Sequence, residues 1–386
     1  MKIMHCCLAN FYIDNYGYQE NILPKMHKMQ GHDVTILAST ETYVDNQKLG
    51  YVKPSSYHTE SGIPIARIPY RKFLPHSVMK KLRIYSGVED SLYSFKPDII
   101  FIHGCQFISI VEIVEYVKKN PKTIIYVDGH TDFINSARNW VSRNILHGLI
   151  YKWCAKKIEP YTEKFYGVLP ARVEFFKSVY GISEDKLELL VMGLDDSVVD
   201  FNKKERIRST IRKKLNINKE DFVIITGGKI DKRKNIHVLM QAVNELKLSN
   251  VKLIIFGAPN DDIKSEFEKQ LNDKYIKYVG WIKAEKTNDY IMASDLGMFP
   301  GTHSVLWEQS IGLGLPCVFR KWEGIQHVDL GGNCIFIKNG NVDEIKEVIM
   351  SIYSDSELYS EMLRVSTEMG IPKFSYHQIA KKAIGE

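Results

Sequence analysis

Thr226-Gly-Gly-Lys-Ile-Asp-Lys-Arg-Lys-Asn235 is the stretch whose reading decides the fold. Before it stands Phe222-Val-Ile-Ile225, a short β-branched apolar run suited to a buried parallel strand. After it, Ile236, Leu239, Met240, Val243 and Leu246 recur at helical spacing. The order is strand, glycine turn, cationic loop, helix. Gly227 and Gly228 let the backbone turn tightly and approach a ligand closely. Lys229, Lys232, Arg233 and Lys234 gather positive charge where the free N–H groups of a helix start already favour an anion. This arrangement suits a diphosphate. It lacks both the P-loop spacing and the three-glycine dinucleotide fingerprint. A solvated charge run after a strand would read the same way in isolation, so the rest of the chain has to decide.

Downstream the alternation repeats. Lys252–Phe256, Ile276–Val279, Leu296–Phe299, Pro316–Phe319 and Cys334–Ile337 read as strands, with helices around Asp262–Asn272, Lys286–Ala293 and Trp307–Gly312. Upstream, Met1–Leu8 reads as a strand, Tyr18–Gln30 as a helix stopped by Gly31, and Asp33–Ala38 as the next strand. That is a crossover unit opening a parallel sheet. Asp98–His103, Thr123–Asp128, Lys164–Leu169 and Leu187–Met192 continue it, with helices at Ile108–Lys118 and Ala171–Tyr180 and one long amphipathic helix at Asn139–Glu159. Thr40–Pro75 reads as irregular apart from Ile63–Ile68, and Lys203–Leu215 as a charged helix in a link between about Asp195 and Lys219. The expected class is α/β, with two Rossmann-like domains whose parallel sheets face each other across a cleft and bind ligands beyond the carboxyl ends of their strands. The boundaries are 1–200 and 201–365, with a helical tail, 366–386, packing back on the first domain.

With 386 residues, 44% hydrophobic and 25% charged, the chain has material for two cores. A net charge of +6 is too mild to argue for nucleic acid. The six cysteines form no CxxC pair and read as reduced thiols of a cytosolic protein. His5-Cys6-Cys7 falls in a strand and is read as core rather than as a metal cluster. No apolar run approaches the roughly 18 residues that span a bilayer, and no secretory signal opens the chain.

These elements together resemble the family 4 (group 1) retaining glycosyltransferases of GT-B fold, over nearly the whole chain. In that family the second domain opens with a strand and a Gly-Arg-Leu turn, with a lysine five residues after the arginine. Lys229 stands at the arginine position and Lys234 at the lysine, which implies that they hold the donor diphosphate and offset charge on the departing nucleotide. Lysine for arginine keeps the charge but loses the bidentate fork. The family also carries two glutamates eight positions apart, before a helix and a Gly-x-Pro turn. Trp307-Glu308 through Pro316 matches the second, implying that Glu308 accepts hydrogen bonds from the nucleotide ribose, whereas Pro300 occupies the first position. In the intervening Gly301–Val305 loop, His303 and Ser304 are the substitutes for the lost contact, and Val305 lends backbone. A histidine that only caps this loop is the bland alternative for His303. Gly228, Gly257 and Ile282, at strand ends, are implied to enclose the diphosphate and base. In the first domain, Gly17 matches the glycine loop, and His130 within Asp128–Asp132 the active-site histidine.

The resemblance implies a hexosyltransferase that moves a sugar from a UDP- or GDP-linked donor to a hydroxyl of a glycan or lipid-linked acceptor, with retention. Bacterial cell-surface polysaccharide or glycoconjugate synthesis is the implied setting. No metal and no other cofactor is expected, His130, Lys229 and Lys234 carry the catalytic roles, and no nucleic acid takes part. Basic and apolar residues interleave at 71–83 and 138–157, so the expected location is cytoplasmic, with peripheral contact on the inner face of the membrane as the hypothesis and, for the long helix alone, packing on its own sheet with its charges in water as the alternative it has to beat. A non-catalytic nucleotide-sugar-binding protein, favoured by Pro300, and a GT-B sugar epimerase are the rival readings. A phosphorylase would require a pyridoxal-binding lysine pattern that the sequence lacks.

Overall fold

The computed structural model describes residues 1–44, 48–132, 136 and 139–386. They divide into two compact units, Met1–Val191 with Ile379–Glu386, and Met192–Gln378.

The first unit is built on β1 (Lys2–Cys7), β2 (Asp33–Ser39), β3 (Glu41–Val44), β4 (Lys48–Tyr51), β5 (Ser55–His58), β6 (Pro64–Ile68), β7 (Ile99–His103), β8 (Ile124–Gly129), β9 (Thr162–Gly167) and β10 (Leu187–Leu189). Eight of these form one sheet in the order β10-β9-β8-β7-β1-β2-β6-β5, parallel except for β5. The order reverses between β1 and β7, so a crevice forms beyond their carboxyl ends. β1 and β7 are buried on both faces, which is why they read as unbroken apolar runs rather than alternating ones.

Three strands lie in the segment expected to be irregular. β3 and β4 pair antiparallel, and β5 borders β6. β3 and β5 are short and lack apolar alternation, and in β4 the alternating Leu49 and Tyr51 are exposed rather than buried, so position rather than hydrophobicity makes them strands. Gly50 is needed here, because a Cβ would come 2.5 Å from Val44 Cγ2. The expected long helix is also two windings. Val141–Tyr151 follows the wider i→i+5 pitch, and Lys152–Ile158 is α-helical.

The second unit has β11 (Phe222–Gly227), β12 (Val251–Phe256), β13 (Ile276–Gly280), β14 (Leu296–Phe299), β15 (Cys317–Arg320) and β16 (Cys334–Ile337). They form a parallel sheet in the order β13-β12-β11-β14-β15-β16, which reverses between β11 and β14. The helix Ile236–Leu246 buries Leu239, Met240 and Val243, part of the periodic face, in its core. Lys204–Lys214 is not a free link. Arg208 and Arg212 both pair with Asp295, Arg212 Nη2 lying 2.6 Å from Oδ2, and fix that helix to the amino end of β14. All six cysteines are free thiols. No helix among the described residues is long and apolar enough to cross a membrane.

Candidate active site

Because β11 and β14 flank the reversal, the loops that follow them meet. Gly301 lies so close to the 233–234 backbone that a Cβ there would be 2.3 Å from the Arg233 carbonyl oxygen, and Thr302 N–H donates to the same oxygen at 3.1 Å. Lys234 ties the loops further. Its Nζ donates to the carbonyls of Thr302 at 2.7 Å and His303 at 2.9 Å, and burial pulls its pKa down to about 8. Lys229 is exposed, and its ammonium has no hydrogen-bond or ion-pair partner among the described residues. The two lysines differ in kind: one braces the loop, the other is available to solvent or ligand. Asp231 turns the chain between them, accepting from Arg233 N–H at 3.1 Å and pairing with the Arg233 guanidinium.

Gly228 and Gly257 have a structural reason to be glycine. Gly257 sits at φ +116°, and a Cβ there would be 1.9 Å from the Gly228 carbonyl oxygen. The two turns are thus pressed together over β11 and β12. Ile282 is half-buried beyond β13, and the neighbouring Trp281 is exposed. Ser304 is half-buried and its carbonyl accepts from Trp307 N–H at 3.0 Å; Val305 stands at the start of helix Leu306–Gly312.

Glu308 is fully buried in that helix's first turn. His303 Nε2 lies 2.8 Å and His327 Nε2 2.7 Å from its Oε1, while Oε2 is buried with no hydrogen-bond partner. Burial opposes ionisation, but His303 and then His327 outweigh it and hold the carboxyl down to about 2. Ligand atoms of the three residues lie within 4.8 Å of one another, so they are the group able to take a metal ion among the described residues. Their contacts are hydrogen-bond separations, however, and His327 Nδ1 is buried without the acceptor that a metal-bound imidazole ordinarily uses. The cluster fits an oriented, ionised carboxylate with one oxygen to spare. His327 had no sequence signal: it lies 19 residues beyond Glu308 on another loop.

In the first unit, Asp128 is fully buried one residue before the end of β8, and His130 follows the strand half-buried. His130 Nε2 lies 3.8 Å from Asp128 Oδ2 and 3.9 Å from Glu20 Oε1. Gln19, at the start of helix Gln19–Met29, donates to Asp128 Oδ2 at 3.3 Å. The structure thus brings the loop after β8 to the helix start that follows Gly17. Gly17 is exposed with nothing within 4 Å of an added Cβ, so packing does not require glycine there. Asp128, Glu20 and Gln19 were not assigned roles from sequence. A concavity of about 700 Å³ opens elsewhere, at the amino ends of β8 and β9, lined by Lys118, Ile124 and Lys164, away from the strand ends where such sheets bind ligands.

Comparison with known proteins agrees with this geometry. Residues 207–368 match the family described as Glycosyl transferases group 1. An uncharacterized glycosyltransferase of Methanocaldococcus jannaschii is 19% identical over 216 residues, covering 54% of this chain and 55% of that protein. The lipopolysaccharide core biosynthesis glycosyltransferase LpsE of Rhizobium meliloti is 22% identical, covering 55% of this chain and 65% of that protein. The matches therefore span just over half to under two thirds of these curated relatives. Among solved structures, Anabaena HepE in complex with UDP superposes with a TM-score of 0.68 at 14% identity, over 100% of this chain and 98% of that one. At that identity the likeness establishes the GT-B fold.

Proposed function

From a chain whose residues 207–368 match the group 1 glycosyl transferases, we propose a metal-independent, retaining hexosyltransferase. It takes a nucleotide-sugar, with a UDP-linked donor the first choice, because crystals of the similar Anabaena protein hold UDP and UDP-glucose. One observation carries this reading: beside the Lys229 and Lys234 loop stands a buried, ionised carboxylate, Glu308, with Oε2 unpartnered. Cations serve the diphosphate, and the spare carboxylate oxygen accepts a ribose hydroxyl. Lys229 would stabilise charge on the departing diphosphate, the kind of interaction that usually supplies the largest rate term. His130 would orient the sugar and the acceptor hydroxyl. The acceptor proton would pass to the leaving phosphate oxygen on the same face, so no covalent nucleophile is required.

Nucleotide release from a panel of UDP-, GDP- and dTDP-sugars, with and without a chelator, tests this. Release from one donor, undiminished by the chelator, is expected. Binding without turnover on any donor would favour the non-catalytic reading that Pro300 suggests, and isomerised sugar without release would favour an epimerase.

The acceptor is proposed to be a lipid-linked glycan presented at an anionic membrane, in cell-surface polysaccharide synthesis. LpsE, a lipopolysaccharide core glycosyltransferase, is a relative in keeping with this. Trp140, Val141, Ile145, Leu149 and Trp153 form an exposed stripe, with Trp140 70% and Leu149 65% accessible. Phe73, Leu74 and Val78 are exposed on and beside helix His76–Leu82. Tyr151 Oη donates to the Lys81 carbonyl at 2.7 Å, so the two clusters adjoin within the first unit. Neither 71–88 nor 133–158 contains an acidic residue, while each contains five basic ones. Each such charge contributes about 1 kcal/mol near an anionic surface. Sedimentation with anionic vesicles at low salt is expected to pull the protein down, and high salt or neutral vesicles to release it. Equal, negligible binding in all conditions would leave a soluble acceptor.

A further inference from the structure

A row of buried imidazoles crosses the first sheet on the face covered by helix Gln19–Met29 and the last helix, Tyr376–Ala383. His27 Nε2 lies 2.8 Å from the Ala380 carbonyl oxygen. His27 Nδ1 lies 3.0 Å from His5 Nε2, and His5 Nδ1 lies 3.0 Å from His103 Nε2. His103 Nδ1 lies 2.8 Å from Asp128 Oδ2. His5, His27, His103 and Asp128 are fully buried, and every ring nitrogen of the three imidazoles is used.

The direction of this row is forced. A carbonyl only accepts, so His27 carries its proton on Nε2. In its neutral form His27 then accepts at Nδ1, which puts the His5 proton on Nε2, and the same step puts a His103 proton on Nε2. The four contacts need four protons, and three neutral imidazoles bring three. The fourth has to come from outside and to sit between His103 and Asp128. We propose that this row stores one proton there, as an imidazolium at His103 against the Asp128 carboxylate, and so sets the charge that faces His130, with Ala380 as the far anchor. His103 and Asp128 are then positioning residues for His130. That last clause rests on the transferase reading; the stored proton does not.

The electrostatics point the same way. Burial keeps His5 neutral and takes His27 down to about 4. Burial also opposes charge on His103, but Asp128 outweighs it and raises that pKa, while His103 and then His130 hold the Asp128 carboxyl well below the carboxylate range. The other titratable groups facing the row are Glu20 from the helix Gln19–Met29, Cys7 at the end of β1, and His32, whose ring stands 6.0 Å from that of His27 and near Glu386. Glu20 adds to the pull on the His103 proton.

Imidazole ¹⁵N spectra of the full chain, labelled at histidine, test the proposal without any substrate. Across neutral pH, His5 and His27 are expected as neutral Nε2–H tautomers and His103 as doubly protonated. In His27→Phe two contacts remain for two neutral imidazoles, so His103 is expected to become neutral although it does not touch residue 27. The acid limb of the turnover profile should then move up by about 1–3 pH units, because an uncompensated carboxylate favours protonation of its neighbour. A neutral His103 in the wild type overturns the proposal, as does a doubly protonated His103 in a folded His27→Phe chain. Should that variant fail to fold, the wild-type spectrum alone decides. Absence of transferase activity with the expected spectrum would sink the reading of His130 and leave the stored proton standing.

Discussion

Lys234→Ala should lower kcat/KM for the nucleotide-sugar by about 10²–10³-fold, the scale of losing one interaction with developing charge, because it takes a cation from this loop and unties the loop itself. It should do so more severely than Lys229→Ala. The Lys234 ammonium holds the carbonyls of Thr302 and His303, so its loss frees the loop that carries His303 as well as removing a cation. Lys229 has no such tie, and its replacement should leave the melting temperature unchanged while Lys234→Ala lowers it. The pH dependence carries a further sign. Lys234 is cationic below about 8 and loses its proton as pH rises through that value, so kcat/KM, which reports the free enzyme, should fall on the alkaline side near there. Lys234→Arg should remove that limb. Wild-type turnover in both alanine variants would take this loop away from the diphosphate.

Glu308→Gln should weaken binding of the nucleoside diphosphate by roughly 10- to 150-fold, the equivalent of one hydrogen bond to a charged group at about 1.5–3 kcal/mol. The effect should appear in affinity rather than in kcat, since a ribose contact is made in ground and transition states alike. Glu308→Ala should do more damage. It removes the acceptor shared by His303 and His327 and leaves buried N–H groups unpaired, at about 1–3 kcal/mol each. Calorimetric titration with UDP, alongside thermal unfolding of both variants, separates the two effects. An unchanged dissociation constant in Glu308→Gln would reduce Glu308 to a brace for two histidines.

The parallel strands were legible in sequence because burial on both faces leaves uninterrupted apolar runs, and β11 with its glycine turn is the clearest case. The polar strands β3, β4 and β5 were not, since nothing in Glu41–Val44 or Ser55–His58 repeats with period two in hydrophobicity. Lys234 and Glu308 could be singled out by position, but what they touch could not. Two carbonyls define the first and two histidines the second, one of them 19 residues away. His5 was read as core, and His27 and His103 drew no reading of their own. Their alignment depends on β1 and β7 being neighbours, which only the strand order supplies. Spacing along a chain encodes a helix face, but contacts between loops on separate strands have no such code.

The first unit takes its last eight residues, Ile379–Glu386, from beyond the whole of the second. A ribosome delivers chain from the amino end, and domains tend to fold as they emerge. The second unit can therefore close while the first is still missing the segment in which Ala380 caps His27 and Lys382 accepts from Tyr166. During that interval β8 and β9 present their tyrosines uncovered, and the nascent first unit is the part that a chaperone would have to shield. A stop codon after Gln378 would spare the later-made unit and cripple the one synthesised first.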